Sequence, residues 1–268
     1  ISSLEKELNA RLFVRNTKEV KLSDDGKDLY RYARQMIDLQ KKIEERFETG
    51  KEESKHLITI AASTIPAQYL LPKILMKFNE RYPKEQVKLL ETDSSQVVTQ
   101  IIDHMVDVGF TGTILEKKHC KYIPFYKDEL VVITPNTEKY QKLLEDMPDD
   151  ISWISGEHLI MREEGSGTRK EAGKQLRAAG INLDKLKIIA SIENQETIKK
   201  SVKQGMGISV ISRLAAEDEV KYGDLLAFSI PKADQGRDIN LVYNKNYQMS
   251  KSTERFVKIV KEIYGIEE

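Results

Sequence analysis

Apolar side chains at Ile1, Leu4 and Leu8, separated by polar and charged residues, form the i, i+3, i+7 stripe of a helix with one buried face. Asn9 can cap its end. Residues 12–15 and 19–22 then read as two short strands, with Asn16, Thr17 and Lys18 in the turn between them. Ser23 ahead of Asp24 and Asp25 marks the next helix start, a capping hydroxyl followed by carboxylates in the positive first turn. That helix runs to about Phe47 without a proline. Leu29, Ala33, Met36, Gln40, Ile43 and Phe47 recur at alternating spacings of 4 and 3, the rhythm of a coiled coil. So narrow a stripe on so long a helix suits pairing with a second copy of the chain; the alternative is a solvated linker helix lying on its own domain.

Residues 49–54 form a polar hinge, after which strands and helices alternate. Strands are expected at 57–62, 87–91, 107–110, 129–134, 158–161, 188–192, 208–211, 225–230 and 239–243. Helices are expected at 66–81, 95–104, 168–179, 195–204 and 253–264. The run at 129–134 is almost continuously apolar, as in a strand covered on both faces. The alternation predicts an α/β fold with open, largely parallel sheets and helices on both faces. Its length suits two small lobes better than one sheet.

Charge changes the reading only at the beginning of the chain. Lysine plus arginine and aspartate plus glutamate number 43 each, so no global basic field points to nucleic acid. Within residues 1–22, Lys6, Arg11, Arg15, Lys18 and Lys21 outweigh Glu5, Glu7 and Glu19 by +2. A helix followed by a cationic hairpin is how a winged helix-turn-helix presents itself to phosphates or a minor groove. The expected contacts are Ser2 and Ser3 on the helix, and Arg11, Arg15 and Lys18 on the hairpin. Ile1 opens inside a helix, so further residues are expected upstream. Cys120, the one cysteine, excludes an internal disulfide and fits a reducing cytoplasm. No signal peptide is expected, nor any membrane span.

These residues carry a resemblance. Ile1-Ser2-Ser3-Leu4-Glu5-Lys6-Glu7-Leu8, then Leu12-Phe13-Val14-Arg15 and Leu22-Ser23-Asp24-Asp25-Gly26, resemble the recognition helix and wing of LysR-type transcriptional regulators, with Asn9 where glycine is usual and Ser23 for threonine. The likeness continues through Leu70-Leu71-Pro72, Phe78, Tyr82-Pro83, Val106-Asp107-Val108-Gly109-Phe110 and Val202-Lys203-Gln204-Gly205-Met206-Gly207-Ile208. Residues 162–169, Arg-Glu-Glu-Gly-Ser-Gly-Thr-Arg, resemble a segment of the branch containing regulators of carbon fixation and of sulfite or selenium metabolism; Glu164 replaces its usual proline. The resemblance implies a partial winged helix-turn-helix over 1–22, a dimerising linker helix over 23–50, and a periplasmic-binding-protein-like effector domain over 55–268. Lobe I would span about 55–131 and 236–268, and lobe II about 132–235. It also implies a cytoplasmic homodimer or homotetramer that binds promoter DNA and a small effector, with RNA polymerase as a further partner.

Three strand-to-helix steps carry hydroxyls: Ser63-Thr64, Ser94-Ser95 and Gly165-Ser166-Gly167-Thr168. Helix starts outside the carboxyl ends of strands are where open α/β sheets bind ligands. Ser63, Thr64, Ser94, Ser95, Ser166, Gly167, Thr168 and Arg169 are therefore the candidate effector contacts, with Thr111 and Thr113 at the rim. The effector would be a small anion, a sulfur or selenium oxyanion being the branch's suggestion; a carboxylate or phosphorylated metabolite stays open. The plainer alternative is that each hydroxyl only caps its helix, worth about 1 kcal/mol apiece. Asn194 reads as a cap. Glu163 and Glu164 would repel an anion unless Arg162 or Arg169 neutralises them. The glycine run lacks the lysine of a phosphate-binding loop. His56, His104, His119 and His158 lack metal-ligand spacing, and no catalytic set appears, so neither enzyme, metal nor cofactor is expected. A solute-binding receptor built on 57–268 is the alternative from another class.

Overall fold

The computed structural model describes residues 1–15, 20–47, 57–146, 150–231 and 236–266. The turn at 16–18 with Lys18, the hinge at 49–54, His56, and the side chains of Arg15 and Phe47 lie outside the described residues.

The chain opens with helix α1 (Ser2–Glu7), followed by β1 (Phe13–Arg15) and β2 (Val20–Leu22), paired antiparallel with Phe13 opposite Leu22. Asn9 stands just past α1 with φ +47°, the left-handed position that asparagine tolerates where glycine is commonest. The stripe of Ile1, Leu4 and Leu8 is exposed rather than buried. What ties α1 to the hairpin is polar: Glu5 Oε1 accepts from the Leu12 amide at 2.8 Å. Helix α2 (Asp24–Phe47) starts as expected, with Ser23 Oγ accepting from Gly26 N at 2.9 Å while its hydroxyl donates to the Arg11 carbonyl. Along α2, Met36 and Ile43 of the expected stripe are exposed.

The remainder alternates strands and helices, through β3 (Leu57–Ala62), α3 (Leu71–Arg81), β4 (Gln86–Glu91), α4 (Ser94–Ile102), β5 (Val108–Thr111), β6 (Cys120–Asp128) and β7 (Leu130–Pro135). It continues through α5 (Glu138–Asp146), β8 (His158–Met161), α6 (Gly167–Ala178), β9 (Lys187–Ser191), α7 (Gln195–Lys203), β10 (Ile208–Ser212) and α8 (Arg213–Lys221). β11 (Leu225–Ser229), β12 (Arg237–Asn244) and α9 (Lys251–Tyr264) complete it. These strands form two five-stranded sheets, ordered β4-β3-β5-β12-β6 and β11-β7-β10-β8-β9.

The expectation of largely parallel sheets is corrected. Each sheet has a parallel half (β4-β3-β5; β10-β8-β9) and an antiparallel half (β5-β12-β6; β11-β7-β10). The reason is the route of the chain. It leaves the first sheet along β6 and enters the second along β7, then leaves by β11 and returns along β12. Exit and entry strands run side by side in opposite directions, with Arg237 opposite Asp128 in one sheet and Ser229 opposite Val131 in the other.

β7 is buried over its whole length, as its apolar run predicts. A single apolar cluster takes in Ile60, Phe78, Phe110 and Phe256 of the first lobe and Val131, Ile133, Ile160 and Ile211 of the second. The lobes thus share a core. Strand β6 was not expected, because Pro124 interrupts it. Among the described residues its one neighbour is β12, so Pro124 sits on an edge strand, at an irregularity in the register. Cys120 at its start is buried, and burial, with Glu116 nearby, pushes the thiol up to about 11. It is protonated at neutral pH, an inert core group rather than a nucleophile.

Candidate functional site

The cleft lies where the carboxyl ends of β3, β4, β5 and β8 approach one another. Ser63 follows β3 directly. Its amide donates to the Phe110 carbonyl in β5 (2.9 Å) and its own carbonyl accepts from Ala67 N (3.0 Å), so strand turns at once into helix. Pro66 sits in the first turn, where its missing N–H costs nothing. Ser63 and Thr64 therefore face the cleft at a helix start whose first amides have no partner in the helix itself.

At the second step the cap is Asp93, not a serine. Its carboxylate accepts from Ser95 N at 2.7 Å and Gln96 N at 2.9 Å. That frees Ser94, buried and lining the cleft, and leaves Ser95 exposed and off it. At the third step Ser166 caps α6, accepting from Arg169 N at 3.4 Å, so the hydroxyl of buried Thr168 is not used as the cap. Ser166, Gly167 and Thr168 all line the cleft. The simple capping alternative thus holds for Ser166 and fails for Ser94 and Thr168. Thr111 is fully buried and donates to the Thr113 carbonyl at 3.0 Å, a turn contact; it does not line the cleft. Asn194 caps α7, as expected, by accepting from Thr197 N at 2.9 Å.

Charge in the cleft is paired internally. Arg162 donates through Nε and Nη2 to the two oxygens of Glu163 at 2.8 and 2.9 Å, the neutralisation this site requires. Arg169 does not line the cleft. It braces the loop from outside, donating to the Arg162 carbonyl at 2.9 Å and standing 3.7 Å from exposed Glu164. Arg237, Thr92, Asp93, Ile65 and Gly112 also line the cleft and were not anticipated. Arg237 belongs to no recognisable motif; the insertion of β12 between β5 and β6 brings it to the cleft.

Gly167 belongs to the second lobe, yet a Cβ at that position would lie 2.7 Å from Thr113 Oγ1 and 3.3 Å from Ser94 Oγ, both of the first. The lobes touch here because the side chain is absent. Gly167→Val should therefore prop the lobes apart at a cost of about 1–3 kcal/mol, the usual penalty for overpacking. Thr113→Ala should recover part of that loss in a double-mutant cycle; strict additivity would show that the contact does not limit closure.

On the N-terminal part, Ser2 and Ser3 are exposed on α1, and Arg11 is exposed ahead of β1. No helix among the described residues is long and apolar enough to cross a membrane. No group of three or more histidine, cysteine, aspartate or glutamate side chains among them is placed to hold a metal ion.

Two lobes, two crossings and a hydroxyl-lined cleft between them define an effector-binding domain. The model of the LysR substrate binding domain matches residues 51–264. The chain belongs to the LysR family of transcriptional regulators. It is 28% identical to an uncharacterised HTH-type transcriptional regulator, MJ0300 of Methanocaldococcus jannaschii, over 98% of this chain and 88% of that protein. It is 25% identical to the HTH-type transcriptional regulator CysL of Bacillus subtilis, over 98% of this chain and 86% of that one. The regulatory domain of CcmR from Synechocystis PCC6803, solved in complex with 2-PG, matches with a TM-score of 0.69 at 24% identity, over 78% of this chain and 97% of that one. Full-length CbnR in complex with its target DNA matches with a TM-score of 0.71 at 17% identity, over 97% and 87%.

Proposed function

We propose that the cleft takes a small oxyanion and that its occupancy alters how paired copies of the chain hold promoter DNA. One observation carries the first part. Ser63 and Thr64, Ser94, and Ser166 with Thr168 converge from three helix starts on one cleft whose arginines are already paired with carboxylates. Such a site binds an anion through hydroxyls, helix amides and the unused edges of guanidinium groups, without a full countercharge. A compact tetrahedral oxyanion fits this better than a large organic ligand, because Gly167 already brings the lobes into contact.

Ser2, Ser3 and Arg11, with Arg15 and Lys18, are the proposed DNA contacts. The exposed apolar stripe of α2 is the proposed pairing surface with a second copy, in which Met36 and Ile43 would become buried. Effector would shift the arrangement of the pair only if it binds the two states with different affinity.

Thermal unfolding tests the cleft. Sulfate, sulfite, thiosulfate, selenite, phosphate and small carboxylates are each titrated against the chain. A ligand present at 100 times its dissociation constant adds about 2.7 kcal/mol of stability. Thr168→Val, which keeps the shape and removes the hydroxyl, is expected to abolish that shift. A shift that survives the substitution, or no shift with any anion, refutes the reading.

A further inference from the structure

The carboxylate that pairs with Arg237 does more than neutralise it. Asp128 is the last residue of β6, immediately before the chain crosses to the second lobe, and Arg237 is the first residue of β12, where the chain has returned. Asp128 is fully buried and the Arg237 side chain is 5% exposed. Nε of Arg237 donates to Asp128 Oδ2 at 2.8 Å, and Nη2 stands 2.8 Å from the same oxygen. The other carboxylate oxygen, Oδ1, accepts from the hydroxyl of Ser212, at the end of β10 in the second lobe. One carboxylate therefore holds an arginine of the first lobe with one oxygen and the second lobe with the other, at the point where both crossings meet.

The guanidinium's remaining corner, Nη1, lies beside Gly112. Arg237 and Gly112 both line the cleft, and a Cβ on Gly112 would lie 3.2 Å from Arg237 Cζ and Nη1. Arg162, the other cleft arginine, is paired within its own loop and spans no lobe boundary. A buried ion pair gains little net stability over an apolar pair of similar volume, because desolvation offsets the Coulomb attraction. Its placement gives it a use.

We infer that Arg237 is the charged recognition group of the effector cleft, presenting Nη1 to the ligand while Asp128 fixes its orientation and couples it to the second lobe through Ser212. The inference rests on the anion reading above and adds which residue reads the ligand's charge. Asp128 is a positioning residue with an opposing electrostatic effect: it aims the guanidinium and also subtracts from the positive potential the ligand meets.

Calorimetric titration of the full chain with sulfate, methanesulfonate and dimethyl sulfone tests this, the three sharing a tetrahedral sulfur at charges of −2, −1 and 0. The wild-type chain should prefer them in that order. Arg237→Gln should weaken sulfate about tenfold or more, the value of one charge-assisted hydrogen bond, and compress the preference for sulfate over methanesulfonate. Asp128→Asn, which keeps hydrogen-bonding groups in place, should tighten sulfate binding, a change of sign that a purely structural role does not produce. The double variant Asp128→Asn, Arg237→Gln replaces the ion pair with two neutral amides and keeps the test valid should Arg237→Gln alone unfold. It should bind sulfate as weakly as the single Arg237 variant. Unchanged sulfate affinity in both Arg237 variants overturns the inference while leaving the anion reading intact. Failure of the wild-type chain to bind either anion overturns both.

Discussion

Asp128→Ala should destabilise the effector domain by about 3–5 kcal/mol, because it leaves Arg237 charged, buried and unpaired. In a domain of this size that corresponds to a fall in melting temperature of about 10 °C. The Ser212 hydroxyl loses its acceptor in the same step, so the only direct side-chain hydrogen bond described between β6 and β10 disappears as well. The neighbouring Glu129 gives an internal comparison. It forms a two-pronged pair with Arg213 at 2.6 and 2.8 Å, and that arginine holds its carboxyl below the usual range. Both side chains are 44% exposed, so Glu129→Ala should cost no more than about 1 kcal/mol. Differential scanning calorimetry of the two variants decides the matter. Equal losses would mean that burial of Asp128 is not what gives the inner pair its weight.

Gly26→Ala should separate DNA binding from effector binding. A Cβ at this helical position would lie 2.0 Å from the Leu12 carbonyl oxygen and 2.9 Å from its carbonyl carbon. These are backbone atoms, so no rotamer change relieves the overlap; α2 must move away from the chain entering the hairpin. Leu12 is buried there, and its carbonyl also accepts from Ser23 N at 3.0 Å. The expected loss is about 1–3 kcal/mol in the N-terminal part alone. The variant should lose at least tenfold in affinity for operator DNA by fluorescence anisotropy, with the anion-induced thermal shift unchanged. Full operator affinity in the alanine variant would show that α2 tolerates the displacement.

The glycine illustrates what the chain discloses about itself. Its helical neighbours, with Ser23 as cap and two aspartates following, are readable from local chemistry alone, and Ser23 caps α2 as those rules require. Strand β7 is readable for a different reason: being buried from Leu130 to Pro135, it needs no alternation to be recognised. Helix α8 escapes, since its buried positions are only Ala215 and Ala216 amid charged residues. Strand β6 escapes because a proline and several charges hide an edge strand whose inward positions are irregularly spaced. The cleft divides in the same way. Ser63, Thr64, Ser94, Ser166 and Thr168 announce themselves as hydroxyls at helix starts. Arg237 carries no local signal, because its role depends on which strand it opens and on which strands lie beside that one.

The two crossings also impose an order on synthesis. The second sheet draws all five of its strands from the continuous stretch between Leu130 and Ser229, whereas the first lacks β12 until residues 237–244 have been made. β12 lies between β5 and β6 and joins them. On the ribosome, the inserted lobe can therefore close its sheet while the lobe that began earlier still has a gap at its middle. The first lobe to be started is the last to be finished, and the Asp128 carboxylate waits more than a hundred residues for the arginine that neutralises it.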